Sequence, residues 1–422
     1  MSPNGGNSIR KVVVASTIGT VLEWYDFGVY GMAAALVFNK LFFPNSSPWV
    51  GTLLAFATFG VGFFARPFGG MLFGYVGDRI GRKTALMATI IIMGLGTTLI
   101  GLLPTYRTIG FWAPVLLIVL RLVQGFGAGA EYAGALVFIV ESSKERRGFF
   151  GSFPSVSIPI SIMLYSGIFG LLSMMPQGAF LDWGWRIPFL LSIVTAAVGL
   201  YLRAGLHETQ QFLEKKEKTK VNPIRQVFSK HPKELIITAL LQFQGVHTYI
   251  IQAFVLSYLV STLKFAKAFS SYALLIAAFI GIFVLIISGV VADKKGLKAV
   301  SLVGAVLSGL FAFPMFALLN TGNPFIVILA MTIGLGAAYV MWGPSSVLLP
   351  LLFPVESRYS GVVIGREFAN AIVGGSAPFI ATLLLHISHG SPWSVAAYMV
   401  VSSAIVFVSI FVIKEDTIRK NS

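Results

Sequence analysis

The sequence predicts an all-α membrane protein of twelve transmembrane helices, arranged as two pseudo-symmetric six-helix bundles. Three observations predict it. First, the chain has 422 residues, 56% hydrophobic and only 11% charged, with a mean hydropathy of +0.83. A soluble protein of this length needs far more charge to cover its surface, so the bilayer is the solvent. Second, twelve apolar stretches are each long enough to cross a hydrocarbon core of about 30 Å as helices. Third, a turn motif recurs half a chain length further on.

The expected spans are 12–38, 49–76, 84–103, 111–140, 149–173, 185–204, 234–261, 269–292, 299–319, 324–352, 360–386 and 393–413. Only "DKKGLK" separates the eighth from the ninth. The first stretch is too long for the apolar region of a cleaved leader, so no separate signal peptide is expected. An even number of spans puts both termini on one side. On this assignment that side holds 23 of the 31 Lys and Arg residues and the opposite loops hold 5. The positive-inside rule therefore predicts cytoplasmic termini. Trp49, Trp112, Trp183, Trp185 and Trp393 fall where helices enter from outside, as an interfacial belt requires. The polar segment "HETQQFLEKKEKTKVNPIRQVFSKHPKE" (207–234) divides the spans six and six. The organisation expected is an N-terminal bundle (1–204), a cytoplasmic linker (205–233) and a C-terminal bundle (234–422).

Composition also excludes function classes. The net charge of +15 is scattered in short clusters between apolar stretches, which fits membrane orientation better than a nucleic-acid surface. There is no cysteine, so disulfide, iron–sulfur and thiolate chemistry are closed. No metal-ligand cluster, nucleophile elbow or phosphate loop appears, so neither an enzyme nor a cofactor is expected. "GFGAG" (125–129) follows no strand and reads as small residues for close helix packing.

The loop after the second span, "GYVGDRIGRK" (74–83), is matched after the eighth by "GVVADKKGLK" (289–298). Gly74, Asp78, Arg79, Gly81 and Lys83 pair with Gly289, Asp293, Lys294, Gly296 and Lys298, each 215 residues on (293 − 78). Glu141 falls on Glu356 at the same offset. Duplicated six-helix units build transporters, with substrate held between halves that rock against each other.

These motifs carry a resemblance. "GYVGDRIGRK" resembles the signature loop between helices two and three of the major facilitator superfamily, and "RLVQGFGAGAEYAGA" (121–135) resembles its fourth-helix motif. With "LEWYDFGVYG", "FARPFGG" (64–70), "MGLGTTLIGLLPTY" (93–106) and "WGWRIPFLLS" (183–192), the chain resembles the metabolite:proton symporter branch, most strongly before residue 210. Three departures stand out. "GAEYAG" (129–134) replaces the usual Gly-Gly-Glu-Trp-Gly-Gly, the spacing from Glu141 to Arg147 is one residue short, and "GREFAN" (365–370) places Arg366 and Glu367 at positions expected to be uncharged.

Charges inside the spans carry the functional expectation. At about 100° per residue, Gly19, Glu23, Asp26 and Tyr30 share one stripe of the first helix, and Arg121, Gln124, Ala128 and Glu131 one stripe of the fourth. An unpaired charge at such depth costs a few kcal/mol on the most lenient scale, roughly. The groups are therefore expected to face an aqueous cavity and pair, Glu23 or Asp26 with Arg66 or Arg121. Glu23, Asp26 and Glu131 are the proton-coupling candidates. Arg66, Arg121, Gln124, Tyr30, Gln244 and His247 are the substrate-binding candidates, although a hydrogen-bonded structural role is the commoner one for such a histidine. Gly74, Asp78, Arg79, Gly81, Arg82, Lys83, Glu141, Arg147, Asp293, Glu356, Arg366 and Glu367 are expected to form a cytoplasmic gate. Arg366 and Glu367 point about 100° apart, so they are not expected to neutralise each other.

The resemblance implies a monomeric, multi-pass transporter of the inner or plasma membrane, whose partners are protons, a small polar metabolite and lipid. The two arginines favour an organic acid. A zwitterion such as proline or betaine, a drug:proton antiport and a non-transporting sensor remain open at this stage.

Overall fold

A computed structural model describes residues 9–79, 82–129, 131–142, 146–204 and 223–421. Most of the linker, 205–222, thus lies outside the described residues. They form helices joined by short turns and loops, with no strand among them, and twelve of the helices are long and apolar enough to cross a membrane. We number them α1 (Thr17–Phe42), α2 (Pro48–Phe73), α3 (Thr84–Leu102), α4 (Trp112–Glu141), α5 (Arg147–Leu172), α6 (Gly184–Tyr201), α7 (Pro232–Ser261), α8 (Lys267–Lys295), α9 (Leu297–Leu319), α10 (Pro324–Leu351), α11 (Arg358–Ile387) and α12 (Trp393–Phe411). Every expected span meets one of them, with ends displaced by a few residues. The break between α8 and α9 is the single residue Gly296, whose φ of 95° a side chain disfavours.

The first six spans meet the last six along two extensive seams, α5 on α8 and α2 on α11. The 215-residue offset carries α2 onto α8 and α5 onto α11, so the seams are repeat-related. Small residues let the backbones close. A Cβ on Gly148 of α5 would sit 2.4 Å from the Gly289 carbonyl of α8, and one on Gly60 of α2 would sit 2.9 Å from that of Gly375 of α11. In lipid, where apolar burial drives little association, such packing is what holds helices together.

Three irregularities were not expected. α1 and α7 each contain a five-residue π-helical segment, Ala34–Phe38 and Ile250–Phe254, at nearly the repeat offset. α4 interrupts its regular helix after Gly127 and resumes at Glu131, so the stripe drawn from Arg121 to Glu131 does not run unbroken. The backbones pack closely at this point: a Cβ on Gly129 would meet the Arg66 carbonyl of α2 at 2.0 Å. α6 begins as a 3-10 turn, Gly184–Arg186, and is interrupted again before Ser192. That turn corrects one belt assignment. Trp49, Trp112, Trp183 and Trp393 are exposed, but Trp185 is fully buried against Phe38, Phe42 and Phe189.

Candidate functional site

The deepest charges gather where α1, α2 and α11 meet. Arg66 on α2 donates through Nε to Glu367 Oε2 on α11 at 2.7 Å and through a terminal nitrogen to Glu23 Oε1 on α1 at 2.5 Å. Arg366 contacts Glu367, and its guanidinium stacks 4.3 Å over the Tyr132 ring of α4. All four charged groups are about 1% exposed. The contact between Arg366 and Glu367 overturns the expectation drawn from helical spacing. Their Cα–Cβ bonds diverge, but both side chains are long enough to reach each other. Glu23 Oε2 and one terminal nitrogen on each arginine have no hydrogen-bond partner.

Asp26, one turn on from Glu23, faces another way. Its Oδ1 accepts from the Ser192 hydroxyl of α6 at 2.6 Å, and among the described residues no cation lies within ion-pair distance. Arg121 on α4 likewise has no carboxylate partner among the described residues. It donates to Gln124 Oε1 and to the Phe59 carbonyl, and packs 4.3 and 4.2 Å from the Phe27 and Tyr30 rings. Gln124 stands between the two, its Nε2 donating to the Asp26 backbone carbonyl at 3.1 Å and to Thr97 at 2.7 Å. Of the pairings expected between these four residues, only Glu23–Arg66 is made directly.

An aqueous cavity was expected beside these charges, but among the described residues they are buried, at about 1% exposure or less. Between the halves, α1, α2, α5 and α7 leave a cavity of about 10 Å³, the room of roughly one water. Its wall holds Trp24, Phe59, Tyr165, Tyr249 and Gln252, and none of the six substrate-binding candidates lines it. Arg66 is held by its two carboxylates, while the Tyr30 hydroxyl donates to Thr58 at 2.7 Å. Gln244 accepts from Ser345 at 2.5 Å, and His247 Nε2 meets the Ser403 and Ser402 hydroxyls of α12 at 2.8 and 3.3 Å. Around Arg66, ion pairs to Glu23 and Glu367 take the place of part of the water these charges would otherwise need. Trp24, Tyr165 and Tyr249 were not singled out from sequence. Aromatic residues are ordinary in apolar spans, and only the position of Trp24 between Glu23 and Asp26 marked any of them.

At the end of the bundle carrying the repeated loops, Asp293 accepts from the backbone N–H groups of Gly148 and Phe149 at 2.6 and 2.9 Å, capping the N-terminus of α5 across the seam. Glu141 on α4 lies 3.8 Å from Arg358 on α11. Arg358 also donates to the Asn421 carbonyl near the C-terminus at 2.5 Å. Arg147 opens α5, and Glu356 is exposed. Gly81 and the side chains at Gly74, Asp78, Arg79, Arg82, Lys83 and Glu131 lie outside the described residues. Among those described, no group of His, Asp and Glu is placed to hold a metal.

Comparison with known proteins follows the same lines. The family model described as Major Facilitator Superfamily matches residues 16–378. The chain is 38% identical to a shikimate transporter of Escherichia coli over 96% of this chain and 95% of the relative. It is 35% identical to a proline/betaine transporter of Escherichia coli, over 97% and 84%. Among solved structures, the partially occluded inward-open xylose transporter of E. coli matches with a TM-score of 0.74 at 19% identity, over 96% of both chains.

Proposed function

Because the chain belongs to the major facilitator superfamily, we propose that it couples the inward movement of protons to that of a small carboxylate-bearing metabolite, by alternating access between its two six-helix halves. It is a multi-pass inner-membrane transporter of metabolites, not an enzyme. The termini and the Asp293 end face the cytoplasm in this reading, as the basic loops require.

The observation that carries the proposal is the separation of Asp26 from Arg121 by Gln124. A buried carboxyl without a cation favours its neutral, protonated form, and a buried guanidinium without an anion favours the arrival of one. When substrate brings its carboxylate toward Arg121, or when Asp26 gives up its proton, the charge balance of the same small region changes. The two events are thereby linked. Glu23 is less suited to the role because its carboxyl is already engaged by Arg66 at 2.5 Å.

An organic acid is the first reading, in line with the shikimate-transporting relative. A zwitterion is the second. It is favoured by the ring faces of Trp24, Phe59, Tyr165 and Tyr249 around the cavity, which suit an alkylated cation, and by the proline/betaine relative. The test is Asp26→Asn in proteoliposomes. It is expected to abolish accumulation driven by a pH gradient while retaining counterflow exchange of the same solute. Undiminished accumulation by that variant overturns the coupling role. Competition by shikimate against glycine betaine decides between the two substrate readings.

A further inference from the structure

The end of the molecule away from Asp293 carries Lys40, Arg107, Arg186, Lys264 and Lys267 against one carboxylate, Asp182. Lys267 stands apart among them. Lys264 donates to the Ser261 carbonyl at 2.6 Å, and Arg186 to those of Gly101 and Leu103 at 2.7 Å each. The Lys267 Nζ is shielded from solvent and has no hydrogen-bond partner. It lies 4.9 Å from the centroid of the buried Phe180 ring, in the connection between α5 and α6. A ring face offsets only part of what an ammonium loses with its water. Among the described residues, the one charge acting on it is the like charge of Lys40, near the end of α1. Lys267 is also the first residue of α8, whose N-terminus has no side-chain cap. Helix N-termini favour anions and disfavour cations. Burial, a like charge and the helix end thus all work against this ammonium, and one anion beside it offsets all three.

We propose that Lys40 and Lys267 form an anion site on this face, which takes the carboxylate of the incoming metabolite before it reaches the centre of the molecule. Lys40 is exposed and gives the anion its first contact, while the half-buried Lys267 completes the bonding. A carboxylate has two acceptor oxygens, one for each ammonium, and the two lysines come from opposite halves of the molecule. A face with five basic groups and one acidic group also raises the local concentration of anions. The site shares no residue with the charge cluster around Arg66 or with the surroundings of Arg121. The choice of a carboxylate as its occupant rests on the symport reading above; the anion site itself does not.

The test uses the full chain in phosphatidylcholine proteoliposomes with an imposed pH gradient, and shikimate as the carboxylate probe. Lys267→Gln removes one ammonium and is expected to raise KM about tenfold, the loss of one charge-assisted hydrogen bond. Lys40→Gln, at an exposed group, is expected to raise it about threefold. The effect falls on KM rather than Vmax. Because both lysines hold one anion, the double variant should have a KM close to that of Lys267→Gln alone. Lys267→Arg keeps the charge and should hold KM within about twofold of the unmodified chain. Raising the ionic strength should narrow the gap between Lys267→Gln and the unmodified chain, since salt screens the site and its ions compete for it. Should Lys267→Gln fail to fold, the exposed Lys40→Gln carries the same test. An unchanged KM, or a rise that high salt leaves undiminished, overturns the site; the second result marks a lysine that only packs on Phe180. A rise seen only in vesicles containing phosphatidylglycerol makes the occupant a lipid phosphate and overturns the carboxylate assignment. If the unmodified chain accumulates neither shikimate nor proline nor glycine betaine, the symport reading falls and the site is judged by melting temperature. Shikimate should then stabilise the unmodified chain more than Lys267→Gln, and equal stabilisation overturns the site as well.

Discussion

Arg66 joins the two halves of the molecule through Glu367, at 2.7 Å, while keeping Glu23 of its own half at 2.5 Å. Glu367 in turn has Arg366 beside it on the same helix. When the halves part at this level, the first keeps Arg66 with Glu23 and the second keeps Arg366 with Glu367, so neither is left with an uncompensated buried charge. Removing one partner of a buried pair costs roughly 3–5 kcal/mol, whereas removing charges in balance costs far less. Glu367→Gln is therefore expected to lower the melting temperature of the detergent-solubilised protein more than the double variant Arg366→Met with Glu367→Gln. A double variant that is less stable by the sum of the two single effects counts against a shared network.

Arg121 makes a different demand. It is stacked against Phe27, Tyr30 and Phe59 and donates in a fixed fork to Gln124 and Phe59. Lysine keeps the charge but loses the plane and the fork. Arg121→Lys should therefore loosen the packing it braces and raise KM for a carboxylate substrate by roughly an order of magnitude, through the loss of one or two hydrogen bonds to Gln124 and Phe59. Uptake measured at two ionic strengths checks this. A variant with wild-type KM shows that charge alone suffices.

The spans were legible in the sequence because hydrocarbon leaves an apolar helix little choice, and the repeat because its loops carry Gly and Asp at fixed offsets. The charge cluster was legible as a list of residues but not as a set of partners. Periodicity places Glu23 and Asp26 on one stripe, yet the packing of α6 turns Asp26 to Ser192 while α2 takes Glu23. The reach of Arg366 back to Glu367 depends on side-chain torsions that no spacing rule contains. Trp24, Tyr249 and Gln252 escaped because such residues are ordinary in apolar spans, and the small cavity they share appears only once the helices are packed.

Asp293 fixes one end of the interface. By accepting from two backbone N–H groups at the start of α5, it supplies a helix cap across the seam, an interaction worth about 0.5–2 kcal/mol. Asp293→Ala should weaken that end and populate the state open there. The chain has no cysteine, so spin labels at Thr84→Cys and Val355→Cys report on it without background. The expected result is a larger fraction of long distances between them, the open-to-closed ratio rising by about two- to thirtyfold for this energy. An unchanged distribution shows that the cap does not govern the opening.

The other end is held by stacking instead of charge. Trp49 at the start of α2 lies face to face with His386 near the end of α11, with centroids 3.6 Å apart and ring planes 9° from parallel. Both are exposed, so the contact is worth at most about 1 kcal/mol. It nevertheless closes the seam at the end away from Asp293, and in alternating access the two ends compete. Trp49→Ala should lengthen the distance between labels at Thr108→Cys and Thr321→Cys while shortening the one between Thr84→Cys and Val355→Cys, the reverse of what Asp293→Ala produces. If both variants move both label pairs in the same direction, the ends open together and the two halves do not rock about a shared centre.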